Sequence, residues 1–269
     1  MATVYARVGM SLSIDAAVEH IGRMSGCAIE PLRAFDTISN AAWLVHFDGV
    51  EAVLRTHSLS FGHPVTDHER ELIIHQLAVD HALSPDILFA DPAKGLLVTR
   101  YEPAGAFDAD VIVSRTGLES VGAALARLHR IPVPSTLTGY TLREAADCYW
   151  RRAGQPADAT LRACVQQVYD NEAATDHASQ VLCHRDVLHS NVLQTRPVQF
   201  IDWEFASPGD RWFDLAAMIC WHELDARQRD ILLVAYHGKP LPPREHQALA
   251  RAITCFRALC TLWSLPAVT

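Results

Sequence analysis

The stretch CHRDVLHSNVLQTRPVQFIDWEFASPGDRWFDLAA, running from Cys183 to Ala217, decides how the chain is read. It holds five acidic side chains, two histidines, one asparagine and two tryptophans, set among residues that otherwise look like buried strand. At its centre, Val198 to Asp202 (VQFID) has the apolar character of a short core strand yet ends on a carboxylate. No earlier part of the chain places so much charge beside core-like residues. Such a density points to chemistry as well as packing.

The spacing of His184, Asp186 and Asn191 is H-x-D-x-x-x-x-N, and Asp202 follows on the next strand-like run. An Asp and an Asn five apart on a loop can face one point, and an Asp on the following hairpin can face it as well. One carboxylate can accept a proton from a hydroxyl. The Asn amide oxygen and the other carboxylate are hard oxygen ligands suited to Mg²⁺. Orienting a nucleophile, holding a metal and neutralising phosphates are the requirements of phosphoryl transfer.

Outward from this segment, the sequence divides into two parts of different character. Ser13 caps a helical pattern with Ile14, Ala17, Val18 and Ile21 in phase. Trp43, Val45 and Phe47 alternate before Asp48-Gly49, and Val53-Leu54-Arg55 begins a return strand, which is a hairpin signal. DHERELIIHQLAVDHAL reads as a helix, and DILFADPAKGLLVTRYEP as two short strands about a turn at Asp91–Gly95. Glu102-Pro103-Ala104-Gly105 reads as a linker, because Pro and Gly stop both strand and helix. Beyond it the chain turns helical. Leu118, Val121, Leu125 and Leu128 are in phase, and further helical patterns flank the charged segment through PREHQALARAITCFRALCTLWSL. The expected architecture is α+β and two-lobed. Residues 1–102 form a small lobe with an antiparallel sheet and a helix, and 103–269 a larger, mostly helical lobe. A cleft between lobes is a common ligand site.

Composition narrows the function classes. The 269 residues are 49% hydrophobic and 20% charged, with a net charge of -8. There is no basic stripe, so nucleic-acid binding is not expected. Residues 1–103 hold 13 Asp+Glu against 7 Lys+Arg, and 104–269 hold 18 against 16, so any acidic site in the second part is local. Seven Cys without a C-x-x-C pair read as free thiols in a reducing compartment. The opening MATVYARVGMSLSIDAAVEH lacks a signal-peptide core, and no apolar run is long enough to span a bilayer. A cytoplasmic protein without a membrane partner is expected. The 14 His lack zinc-ligand spacing.

HRDVLHSN followed by FIDWE and FDLA resembles the aminoglycoside phosphotransferase and choline kinase family, relatives of protein kinases. The resemblance covers most of the chain. It implies an ATP- and Mg²⁺-dependent kinase in which Asp186 is the catalytic base, Asn191 and Asp202 bind the metal, and His184 braces the loop. It further implies that Arg55 touches the nucleotide phosphates, partnered by Glu71 or Glu69, and that the adenine meets the backbone around Thr99, Arg100 and Tyr101. The family's first hairpin usually carries glycines ahead of an Asn. Here Phe35–Trp43 (FDTISNAAW) has none, with Asn40 at the Asn position and Thr37 and Ser39 as hydroxyl donors. Asp214 is expected as a structural helix cap, and Trp150, Trp212 and Trp221 read as core.

For the acceptor, Trp203 and Glu204 following FID, with His189 in the loop, suit a cationic alcohol such as choline or thiamine. Aromatic faces attract quaternary ammonium groups. An aminoglycoside or sugar hydroxyl is the alternative acceptor. A nucleotide-binding pseudokinase and a metal-dependent hydrolase are the rival classes. The first would lack one of the three polar residues, and the second needs a second metal cluster or a nucleophile.

Overall fold

In the computed structural model the described residues are 12–36, 41–57, 65–175 and 179–267. Asn40, with Thr37 and Ser39, lies outside them. Contacts divide the chain into two compact units, residues 1–63 with 84–103 and residues 64–83 with 104–269.

The first unit is an antiparallel sheet with one helix. Its elements are α1 (Ile14–Ser25), β1 (Ile29–Ala34), β2 (Ala41–Phe47), β3 (Val50–Thr56), β4 (Ile87–Asp91) and β5 (Leu96–Arg100), in the sheet order β1-β2-β3-β5-β4. The Ser13 hydroxyl accepts from the Ala16 N–H at 3.3 Å and starts α1. Asp48 and Gly49 both take positive φ, 49° and 82°, which gives the tight β2–β3 turn a twist matching the strands. Alternation then decides the packing. Val45, Phe47, Ala52, Leu54, Leu96 and Val98 face one side and pack with Ala17 and Ile21 of α1. The His20 Nε2–Asp91 Oδ2 contact of 2.7 Å ties α1 to the end of β4. One strand, β1, was not read from the sequence. It is an edge strand whose residues are almost all exposed, and its Pro31 and charges hide it from any hydrophobic pattern.

The second unit is mostly helical. It contains α2 (His68–Asp80), α3 (Ala109–Ile112), α4 (Arg115–Leu128), α5 (Leu142–Arg152), α6 (Ala159–Ala173), α7 (Arg211–Trp221), α8 (Ala226–His237) and α9 (Pro243–Trp263). Leu118, Val121, Leu125 and Leu128 are all fully buried, as their phase on α4 requires. Gly122 lets α4 and α8 touch closely, since a Cβ there would lie 2.8 Å from Ala235 Cβ. Two short ribbons carry the charged segment. β6 (Val181–Cys183) pairs with β9 (Ser207–Gly209), and β7 (Val192–Leu193) pairs with β8 (Gln199–Phe200). Helix α2 groups with this unit because Arg70 donates through Nε to the Ala206 carbonyl at 3.2 Å and through Nη2 to the Val65 carbonyl. Among the described residues no helix is long and apolar enough to cross a membrane.

Candidate active site

The loop from β6 to β7 is held by buried polar groups. Asp214, fully buried in the first turn of α7, accepts the His184 N–H on Oδ2 at 2.8 Å and the Arg185 N–H on Oδ1 at 2.7 Å. His129 Nε2 reaches the same Oδ2 at 3.0 Å, and its Nδ1 meets the Tyr236 hydroxyl at 2.7 Å. Burial alone would push the Asp214 carboxyl up. The hydrogen bond from His129 and the backbone N–H of His184 outweigh it and hold the group below its ordinary range. The helix cap is a different residue from the one expected. Asp210 caps α7, accepting from the Trp212 N–H at 3.1 Å, while Asp214 caps the loop.

His184 is also fully enclosed. Its Nε2 lies 3.0 Å from the Ile201 carbonyl and so carries the proton, and its Nδ1 accepts the Asp186 N–H at 3.3 Å. Burial lowers its pKa, which keeps the ring neutral in that tautomer. The imidazole thus links the loop carrying Asp186 to the backbone just before Asp202. Arg185 follows at φ 68°, an αL conformation costly for a side-chain-bearing residue. It is kept there by Asp214, by donation from Nη2 to the Pro208 carbonyl at 2.8 Å, and by its guanidinium lying 4.3 Å over the Tyr140 ring. Gly209 makes room for it, since a Cβ there would sit 2.6 Å from Nη2.

Asp186 and Asn191 come together. Asn191 Nδ2 donates to Asp186 Oδ2 at 2.8 Å and to its carbonyl at 3.1 Å, which turns the amide oxygen away from that carboxylate. Burial pushes the Asp186 carboxyl up, and the neighbouring Asp202 charge pushes further, to about 7. Asn191 and the Trp221 indole act in the opposite direction, and Asp214 adds a smaller upward push. Asp202 sits on the turn after β8 at φ 67°, a second αL residue without glycine's freedom. The His184–Ile201 bond braces the turn. The donor set fits a divalent cation, with one amide oxygen and one carboxylate beside a second carboxylate.

Trp203 does not face a substrate. It is fully buried, its ring 4.6 Å from that of His184 and 6.1 Å from that of Phe200, and it acts as a pillar under the Asp202 turn. Glu204 is largely enclosed at 8% exposure, near Tyr149. His189 stays half-buried, its ring 5.7 Å from that of His222. Trp221, read as core, is 38% exposed at the end of α7. That exposure left no trace in a sequence pattern that puts it on a buried helix.

In the first unit, Arg55 is half-buried on β3, opposite Ala42 and Leu97. Thr99 pairs with Val53 and Ile87 on β5. The Tyr101 N–H donates to the Glu51 carbonyl at 3.1 Å, and the exposed Arg100 pairs with Asp86. On α2, Glu71 is 4% exposed, whereas Glu69 is open to solvent in the first turn.

The model of the phosphotransferase enzyme family known as APH matches residues 32–249. The chain belongs to this family. A choline/ethanolamine kinase family protein from Mesorhizobium loti superposes with a TM-score of 0.70 at 24% identity, over 87% of this chain and 78% of that one. A choline kinase from Streptococcus pneumoniae gives 0.71 at 19% identity, over 92% and 88%. A spectinomycin phosphotransferase solved with ADP and spectinomycin gives 0.59 at 13% identity, over 94% and 86%. A search of curated proteins finds no match to the sequence. The expected two-lobed protein-kinase-like fold and the phosphotransferase assignment both hold.

Proposed function

We propose that this phosphotransferase moves the γ-phosphoryl group of ATP to the hydroxyl of a small, cationic alcohol of the choline or thiamine type. The observation that carries the reading is the Asp186–Asn191 pair beside Asp202, on a loop anchored by Asp214. Asp186 is read as the base. Its carboxylate is oriented by the Asn191 amide, and its raised proton affinity suits it to accept a hydroxyl proton near neutral pH. Asn191 and Asp202 would hold Mg²⁺, which when bound neutralises phosphate charge and supports the leaving group. His184 and Asp214 keep these side chains in register without touching substrate.

In the first unit, Arg55 is proposed as the cation that steadies the nucleotide phosphates, a task its rigid guanidinium fork suits. Thr99 and Tyr101 are assigned to the adenine-binding strand end. Of the two candidate helix carboxylates in the second unit, Glu71 is buried and Glu69 is exposed. Support for a cationic acceptor comes from the carboxylates Asp186 and Asp202 lying together and from similarity in fold to chains described as choline kinases. His189 is the accessible residue of the expected acceptor set. The spectinomycin enzyme of similar fold favours an aminoglycoside as the second reading.

The test is ADP release with ATP and Mg²⁺ against choline, ethanolamine, thiamine, aminosugars and aminoglycosides. Turnover on a cationic primary alcohol supports the first reading, and turnover confined to aminoglycosides supports the second. Nucleotide binding without turnover on any alcohol would mark a pseudokinase.

A further inference from the structure

We propose that Tyr140 is a positioning residue that fixes the Asp186 loop against the segment after Asp202, through its ring on Arg185 and its hydroxyl on the Phe205 carbonyl. The inference rests on the reading of Asp186 as the base and of Asp202 as a metal ligand. Tyr140 is buried in the connection from α4 to α5, and the capping box of α5 begins at the next residue, Thr141. Thr141 Oγ1 accepts the Glu144 N–H at 3.1 Å, and the Thr141 N–H donates to Glu144 Oε2 at 2.7 Å. The start of α5 thus fixes where Tyr140 stands. Gly139 permits a close approach on its other side, since a Cβ there would run into the Ser207 hydroxyl and lie 2.9 Å from Pro208 Cδ.

The guanidinium of Arg185 lies 4.3 Å from the centroid of the Tyr140 ring, and that of Arg70 lies 5.0 Å from it. The Tyr140 hydroxyl donates to the Phe205 carbonyl at 2.9 Å, and its backbone N–H donates to Ser207 Oγ at 3.1 Å. Arg185 stands directly before Asp186, and Phe205 ends the short turn that follows Asp202. Carbonyls of that segment are each taken by a side chain, Phe205 by Tyr140, Ala206 by Arg70 at 3.2 Å and Pro208 by Arg185 at 2.8 Å. The three side chains that hold them are buried and meet at one ring. Two buried guanidinium groups repel, and the negative face of the ring and the carbonyls offset that repulsion. Asp214 holds the loop by its backbone amides, whereas Tyr140 holds the Arg185 side chain. It is this second hold that reaches the segment after Asp202. Without the ring, Arg185 loses support for its αL backbone, and the carboxylate next to it shifts relative to Asp202.

Two measurements on Tyr140→Phe and Tyr140→Leu test this. Hydrogen exchange followed by mass spectrometry reads residues 203–210, with α8 as the internal reference. Tyr140→Leu is expected to speed exchange in 203–210 about tenfold and Tyr140→Phe, which keeps the ring and loses the hydroxyl, about threefold, with α8 unchanged in both. If Tyr140→Leu loosens the whole chain, Tyr140→Phe decides, and unchanged exchange in its 203–210 segment would overturn the hold. In steady-state kinetics, with whichever alcohol of the panel releases ADP, Tyr140→Leu is expected to lower kcat about tenfold and Tyr140→Phe about threefold, each with the acceptor KM within about twofold. A folded Tyr140→Leu with kcat within about twofold of wild type would overturn the positioning role. So would a loss of kcat that appears only together with faster exchange in α8. If no alcohol releases ADP, the reading of Asp186 as a base fails, and hydrogen exchange still decides whether Tyr140 holds the segment.

Discussion

Asp186 and Asp214 are both largely enclosed carboxylates, 28 residues apart in sequence and serving the same loop, yet their surroundings drive them in opposite directions. Asp214 is fully buried and accepts from two backbone N–H groups and from His129, so it stays charged below its ordinary range. Asp186 accepts from the Asn191 amide, and its burial, helped by the nearby Asp202 carboxylate, raises its proton affinity to about 7. The count of donors, weighed against neighbouring charge, decides which carboxylate is an anchor and which can take up a proton. The fold gives its strongest donors to Asp214 and leaves Asp186, the proposed base, underserved.

Four substitutions break or sharpen that contrast. Asp186→Asn is expected to lower kcat by about 10²–10⁴, the range for losing a positioned base, with nucleotide binding kept. Because a carboxyl whose folded pKa is raised disfavours the charged folded state above that value, the same variant is expected to melt no lower than wild type at pH 8 without metal. Asp214→Ala is expected to act the other way, costing about 3–5 kcal/mol of stability in urea unfolding, because the His129 ring and two loop amides lose their acceptor together. Its pH dependence also has the opposite sign. A depressed folded pKa contributes stability that is complete above the unfolded value near 4 and drains away as pH falls further, so the gap between wild type and Asp214→Ala should narrow in acid. Arg55→Ala is expected to raise the ATP KM about tenfold with the acceptor KM unchanged, and an unaltered ATP KM would remove Arg55 from the nucleotide site. Tyr236→Phe is the mildest. It removes the hydroxyl on His129 Nδ1 at the far end of the Asp214 chain and should cost about 1 kcal/mol of stability, with kcat nearly unchanged.

The helical unit was legible because its helices bury one face in strict phase, as Leu118, Val121, Leu125 and Leu128 do. The candidate loop stood out because Asp186, Asn191 and Asp202 follow a recognisable spacing, and the structure brings Asp186 and Asn191 together. What escaped depended on direction in space. Edge strand β1 has an exposed, proline-bearing sequence with no alternation to read. Trp203 follows FID like a substrate contact, but the αL turn at Asp202 sends its ring inward onto His184. Trp221 belongs to an apolar helix, yet it falls at that helix's last residue and stays 38% exposed. Asp214 was expected to cap its own helix, but Asp210 does so first, which leaves Asp214 to reach back 30 residues to the loop.

The most direct test of the central claim compares wild type and Asp186→Asn side by side. ADP release is followed with a saturating acceptor alcohol, and the melting temperature is measured on the same samples at pH 8. The account expects turnover to fall at least about a hundredfold while the melting temperature is held or raised. Undiminished turnover, or a loss of activity that tracks a loss of folding, would contradict it.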